Sequence, residues 1–228
     1  MRNVAYLAAI VAVIAGASWF AFDPARAGTK AFYLYFALPT LVLAMAGVLR
    51  ARNDGVLVGW FGIRSGDITR GVTAGALLFG GAFMFMKTVA PPESPRAAWF
   101  ARFYLQLGDP GVLRKEVITI VLAMVVLAIA EELLWRGLVI SLLSELIGTR
   151  RAWIWQAVLY AIAHLPTVWV LRDTDVGPNP IVLLAALGSG LVWGAMARRF
   201  ERLLPNVISH VLVYWIVLMM FRLWGPSV

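Results

Sequence analysis

The sequence has no cysteine in 228 residues, which excludes a disulfide framework, a thiolate nucleophile and a Cys-ligated metal. The redox compartment is therefore unreadable. Charge is scarce as well: charged residues are 14% of the chain against 61% hydrophobic, with a mean hydropathy of +0.82. Such a composition excludes a soluble domain and implies an integral membrane protein. Acidic residues are fewer than basic ones, 12 against 20, for a net charge of +8. The Lys and Arg residues lie in short clusters between apolar runs, where the positive-inside rule places them, so the charge does not point to nucleic acid. No internal repeat and no low-complexity segment interrupts the chain, and residues 1–228 read as one integral membrane domain.

What is abundant is apolar runs long enough to cross a hydrocarbon core, about 20 helical residues for about 30 Å. Val4 to Phe22 follows Arg2 and resembles a signal peptide, with Ala25-Arg26-Ala27 as a cleavage-site lookalike. A signal h-region has only about 7 to 15 residues, so the run reads as a first, uncleaved transmembrane helix, ended by Asp23-Pro24. Ala31 to Leu49 is the second span, followed by a basic loop marked by Arg50, Arg52, Arg64 and Arg70. Gly71 to Ala90 is the third, with Gly75, Gly80 and Gly81 suited to close helix packing. Arg96 to Leu107 mixes aromatics with arginines, as in a short helix lying in the headgroup region or a lid over a site. Val117 to Ile147, Ala152 to Leu171, Pro180 to about Met196, and Pro205 to about Phe221 complete the set. Gly188, Gly190 and Gly194 of the sixth span admit another helix or a substrate backbone. The expected fold class is all-α: a polytopic membrane helix bundle of about seven transmembrane helices with an interfacial helix. Discounting the long Lys87 to Glu116 loop places the N-terminus in the cytoplasm. A bacterial inner membrane is the expected location, on the preference for Arg over Lys.

The Val117 to Ile147 run is too long, about 46 Å as a helix, and holds Glu131, Glu132 and Arg136 in its middle. Each charge at mid-membrane costs about 2.5 to 3.5 kcal/mol, while each Leu, Ile or Val returns about 0.3 to 0.6. The run must tilt, protrude or break, and the charged cluster is the natural place for an irregularity. The other intramembrane polar residues are His164 and His210, the only histidines, with Asn206, Tyr214, Ser209 and Gln156 as hydrogen-bonding groups. Glu132 and Arg136 stand at i, i+4 and can pair along one helix face. Glu131, about 100° away, is left free for chemistry as a general base toward water. The core helices of such a site span residues 117–221.

Glu131-Glu132-x-x-x-Arg136, Tyr160-x-x-x-His164 and His210-x-x-x-Tyr214 together resemble the three signature motifs of the CPBP family. That family contains the type II CAAX prenyl proteases, the Abi proteins of bacteriocin processing and immunity, and the myxosortase-like enzymes. The resemblance covers about Val117 to Trp215; the first three spans carry nothing diagnostic. It implies that Glu131 activates water, that His164 helps to hold that water and that His210 stabilises the oxyanion, with Glu132 and Arg136 in support. The chain departs from the pattern at Tyr160, where Phe is usual, and at Tyr214, where Asn is common. A phenol can still donate one hydrogen bond, with a longer reach. Asn206, on the face of His210 and Tyr214, joins the supporting set.

The same chemistry follows from the residue types: water, a base and oxyanion donors are what peptide hydrolysis in a membrane requires. No G-x-S-x-G turn and no H-E-x-x-H helix occurs. The expected function is an intramembrane endopeptidase acting on a leader, C-terminal tail or CAAX-like end of a membrane-associated protein, with the bilayer as the other partner. A non-catalytic immunity or sorting partner of the same fold is the alternative, and an ion-coupled carrier a third reading that the lack of a repeat disfavours. No cofactor is expected; zinc held by two His and one Glu is the alternative. Oligomeric state and substrate identity are not readable.

Overall fold

The computed structural model describes residues 1–217. These form eight principal helices: α1 (Arg2–Ala21), α2 (Lys30–Asn53), α3 (Asp67–Thr88), α4 (Ala97–Leu107), α5 (Val117–Ile147), α6 (Thr149–Ala163), α7 (Ile181–Phe200) and α8 (Leu204–Trp215). No strand occurs among the described residues. Six helices are long and apolar enough to cross a membrane: α1, α2, α3, α5, α7, and α6 taken with the short turn that follows it to Val170. The seventh expected span is described only as α8, and residues 218–221 of it lie outside the described residues. The chain is an integral membrane protein with a polytopic helical bundle.

The bundle is apolar outside and polar within. Leu38, Val42 and Met45 of α2 and Leu77 of α3 are exposed, while Glu131, Glu132, Arg136, His164, Asn206 and His210 are buried. This is the distribution expected when lipid is the solvent and charged groups must find partners inside. The N-terminal run is a member of the bundle: Leu7, Ile10 and Ile14, spaced by three and four, form a stripe that joins Leu134, Trp135, Leu138 and Leu142 of α5 in the largest apolar cluster. Its start is tied to the end of α5 by Asn3 Nδ2, which donates to Glu145 at 2.6 Å.

Helix α5 carries the irregularity expected of an over-long run, as a change of winding rather than a break. Val117–Glu131 is α-helical, Glu132–Val139 is π-helical and Ile140–Ile147 is α-helical again. Every residue of the π segment is buried. Wide turns of this kind leave i→i−4 bonding locally unmade and occur chiefly at functional sites. Two neighbours fit against the widened stretch because they meet glycines. A Cβ on Gly47 of α2 would stand 2.9 Å from the Leu133 carbonyl oxygen, and one on Gly137 would stand 2.7 Å from the Trp60 ring.

Glycines also set the other close crossings, though not all of those expected. Gly190 and Gly194 of α7 admit α6, where a Cβ would stand 3.1 Å from Ala157 Cα and 2.9 Å from the Trp153 carbonyl oxygen, respectively. A helix therefore occupies the approach to these two, and Gly188 meets nothing within 4 Å. On α3, Gly75 touches Leu212, but Gly80 and Gly81 face open space. The closest approach there is at Gly71, against Ile208 and the Pro205 carbonyl oxygen. Span positions follow from hydropathy, whereas the rotation of each helix is set by its partners, so a glycine's face is not fixed by its being in a span.

Two polar ties close the ends. Asp67, at the start of α3, is buried and accepts from Arg202 Nη1 at 2.8 Å and from the Arg64 backbone N–H at 2.8 Å. Beside it the Leu203 N–H donates to the Trp60 carbonyl at 2.9 Å. The start of α8 is thus fastened to α3 and to the 57–60 turn. At the opposite end, α4 is pinned to the connection before α7, through Asn179 Nδ2 to the Trp99 carbonyl at 2.8 Å and Arg102 Nε to Asp173 at 3.2 Å.

The Asp173 carboxylate also accepts from the backbone N–H groups of Asp175 and Val176 at 3.0 and 3.2 Å. Those two donors, with Arg102 adding to them and partial burial opposing, hold its pKa below the ordinary 3.8. A depressed carboxylate stabilises the fold fully above its unfolded value and loses that contribution as pH falls through the folded one. Pepsin cleavage within residues 172–179 is expected to rise on acidification through that range, and the rise to flatten in Asp173→Asn. For the crossings, Gly71→Ala is expected to cost about 1–3 kcal/mol through overpacking, read as a lower thermal midpoint in detergent. Gly80→Ala should leave the midpoint unchanged.

Candidate active site

Helix α6 ends at His164, and the histidine ring takes part in ending it. Its backbone N–H reaches only Ala161, at 3.0 Å. Nδ1 meets the Tyr160 carbonyl oxygen at 2.8 Å, so the ring supplies the donor that a continuing helix would have taken from the backbone. Because a carbonyl only accepts, Nδ1 carries a hydrogen and the neutral ring presents Nε2 as an acceptor. Pro166, having no N–H to donate, interrupts the bonding of α6 ahead of the short turn Thr167–Val170, and Thr167 Oγ1 donates to the His164 carbonyl at 2.7 Å.

Helix α8 opens with a proline in its first turn and places Asn206, His210 and Tyr214 on one face at i, i+4, i+8. That face meets the start of the π segment. Glu132, fully buried, accepts at Oε1 from Arg136 Nη1 at 3.2 Å and from His210 Nδ1 at 2.8 Å, and at Oε2 from Asn206 Nδ2 at 3.1 Å. Asn206 Nδ2 also donates to the Trp193 carbonyl at 2.7 Å. The ion pair expected at i, i+4 is therefore present, inside a larger network.

Glu131, 1% exposed, is not left unpartnered. His210 Nε2 lies 3.0 Å from its Oε2, and the Tyr214 hydroxyl donates to the same oxygen through a very short hydrogen bond. The change of winding begins directly after Glu131, and both glutamates reach the one imidazole. A ring nitrogen and a carboxylate oxygen at these distances share a hydrogen, so the Glu132–His210–Glu131 trio holds one hydrogen on each side of the ring.

Aromatic rings enclose this polar core. The Arg136 guanidinium lies over both the Tyr160 and Trp193 rings, 4.9 Å from each centroid, a favourable placement for a desolvated cation. Trp193 stacks on His210 at 3.9 Å and donates its Nε1–H to Ser209 at 2.9 Å. Ser209 is thereby committed to packing. Tyr160 touches His164 edge-on at 4.8 Å and Trp135 at 5.0 Å. The eight residues singled out from the sequence are thus brought into one neighbourhood. His164 is joined to it through Tyr160, with no hydrogen bond to Glu131, Glu132 or His210. Trp193 and Trp135 were missed; their signal was position, since tryptophan favours the membrane interfaces and these two stand in the interior of spans.

Among the described residues no group of three His, Asp or Glu side chains is gathered as a metal site. His210 has a carboxylate at each ring nitrogen, so it meets them as a donor, the opposite of what ligation of a cation asks of it.

Residues 113–216 match the family model described as Type II CAAX prenyl endopeptidase Rce1-like. The match is consistent with the CPBP family and supports an intramembrane protease. It begins just before α5 and ends with α8, enclosing every residue of the site. No curated protein and no solved structure matches the chain.

Removing one partner of a buried ion pair costs about 3–5 kcal/mol. Glu132→Gln, which leaves Arg136 uncompensated, is therefore expected to lower the thermal midpoint and the membrane level well below those of Glu131→Gln, measured side by side.

Proposed function

We propose that this chain, Rce1-like over residues 113–216, is an endopeptidase that cuts a membrane-associated protein with a water molecule activated by Glu131. The observation that carries the reading is the convergence of two donors, His210 Nε2–H and Tyr214 O–H, on one oxygen, Glu131 Oε2. Two donors aimed at a single negative oxygen are what a developing oxyanion needs. With a substrate present, its carbonyl oxygen takes the place of Glu131 Oε2 between them; the released carboxylate accepts a proton of the water as the water oxygen adds to the carbonyl carbon, and returns it to the departing amine as the C–N bond breaks.

The remaining residues hold these in place. Glu132 accepts from His210 Nδ1, which fixes the ring with Nε2 turned toward Glu131, and donation from both nitrogens makes the ring an imidazolium between two carboxylates. Asn206 and Arg136 hold Glu132 in turn. His164, with Nδ1 committed to a backbone carbonyl, offers Nε2 to accept a hydrogen of the attacking water. Tyr214 thus fits the donor role that Asn fills in the family pattern, supported by its contact with Glu131. No metal enters this reading. The proposed substrate is a leader, C-terminal tail or CAAX-like end, and the proposed location a bacterial inner membrane.

General acid–base catalysis contributes about 10²–10⁴-fold, so Glu131→Ala at equal expression should abolish detectable processing, with His164→Ala and His210→Ala close behind. The readout is a comparison of membrane proteomes with and without the protein, looking for one precursor that keeps its tail. Unchanged processing by Glu131→Ala would leave the non-catalytic partner as the reading. Cleavage of that precursor by purified protein is expected to persist in the presence of 1,10-phenanthroline; loss and recovery on adding zinc would overturn the metal-free mechanism.

A further inference from the structure

One intramembrane polar residue takes no part in the network or the chemistry above. Gln156 is fully buried, and neither its Oε1 nor its Nε2 has a hydrogen-bond partner among the described residues. Burying an amide dry and unpaired is unfavourable, so its presence calls for an occupant. It is not alone: Trp153 Nε1, Arg136 Nε and Nη2, and Asn206 Oδ1 are also buried and unpaired. The Asn206 amide is oriented unambiguously, because its other atom faces two acceptors, Glu132 Oε2 and the Trp193 carbonyl, and must be the NH2 group.

Gln156 and Trp153 stand at the α6–α7 contact, and Arg136 and Asn206 meet its inner end, Arg136 over the Tyr160 and Trp193 rings and Asn206 on the Trp193 carbonyl. Trp153, Gln156 and Tyr160 stand at i, i+3, i+7 on a single face of α6, and that face meets α7 at glycine. A Cβ on Gly194 would lie 2.9 Å from the Trp153 carbonyl oxygen and 3.2 Å from Gln156 Oε1. The next residue along α7 is Trp193, which covers Arg136, stacks on His210 and receives Asn206. The unpaired atoms thus run from the first turns of α6, beside the exposed Arg150 and Arg151, inward to Arg136 and the Glu132 network. Orphaned polar atoms in protein interiors are satisfied by buried water, each molecule making about three hydrogen bonds.

We infer that water occupies the α6–α7 seam from Trp153 through Gln156 to Arg136, and that this file supplies the site with hydrolytic water from the end of the bundle bearing Arg150 and Arg151. The hydrolytic meaning rests on the proposed peptidase reading; the hydration does not.

The absence of cysteine makes a water-sized test direct. In Gln156→Cys the new thiol is the only one in the chain, and its S–H stretching band converts to S–D only where D2O arrives. Val139→Cys, at a fully buried position of the apolar cluster, is the dry reference. Conversion in Gln156→Cys at least about tenfold faster than in Val139→Cys is expected; equal rates overturn the inference, whether or not the protein cleaves anything. If Gln156→Cys does not accumulate, the unmutated protein decides. An experimental map that resolves solvent should show water within about 3 Å of the Gln156 amide and Arg136 Nη2, and finding those atoms bonded to protein groups instead overturns it.

Discussion

A carboxylate buried inside a bundle must be surrounded by donors, and Glu132 is where this constraint is met. Moving such an ion into a low-dielectric interior costs several kcal/mol even after relaxation, and three donors from two helices offset it: Arg136 on its own helix, His210 and Asn206 on α8. Those three are then no longer free to vary. Asn206 is held between Glu132 and the α7 backbone, and His210 is turned so that its second nitrogen points at Glu131. The register of α8 against α5 and α7 is thus specified by satisfying one buried charge.

Aromatic packing protects that arrangement from competition. Among the described residues Arg136 makes a single hydrogen bond, to Glu132, and its guanidinium lies over two rings, so its charge is stabilised by more than its ion pair. Trp193 serves the guanidinium and the imidazole together. The π-helical stretch belongs to the same solution. It begins at Glu132, directly after Glu131, where the two adjacent glutamates reach the two nitrogens of one ring.

Much of this was legible before the structure. Hydropathy located the six long helices because burial in lipid is a property of a run of residues, and the i, i+4 pairing of Glu132 and Arg136 is local in the chain. The over-long α5 announced an irregularity by its length. What was not legible depends on how helices rotate against one another. Glu131 read as free because its partners, His210 and Tyr214, stand some eighty positions further on. Gly80 and Gly81 read as packing residues although they face outward, while Gly71, at the very end of its span, makes the close contact. Asp67 and Arg202 sat at span boundaries, where charged residues are ordinary, and nothing in the chain marks them as partners across 135 positions.

That last pair bears on how the site can open. With Arg202 bound to Asp67 and Leu203 bound to Trp60, α8 is hinged at its root, and any swing of the helix behaves as a lever. His210 lies about 9 Å along the arm from Leu204 and Tyr214 about 15 Å, so a given rotation carries the phenol roughly two-thirds as far again as the imidazole. The two donors that share Glu131 Oε2 are therefore unequal in reach: Tyr214 stands far from the tether, whereas His210 is nearer to it and is also held by Glu132.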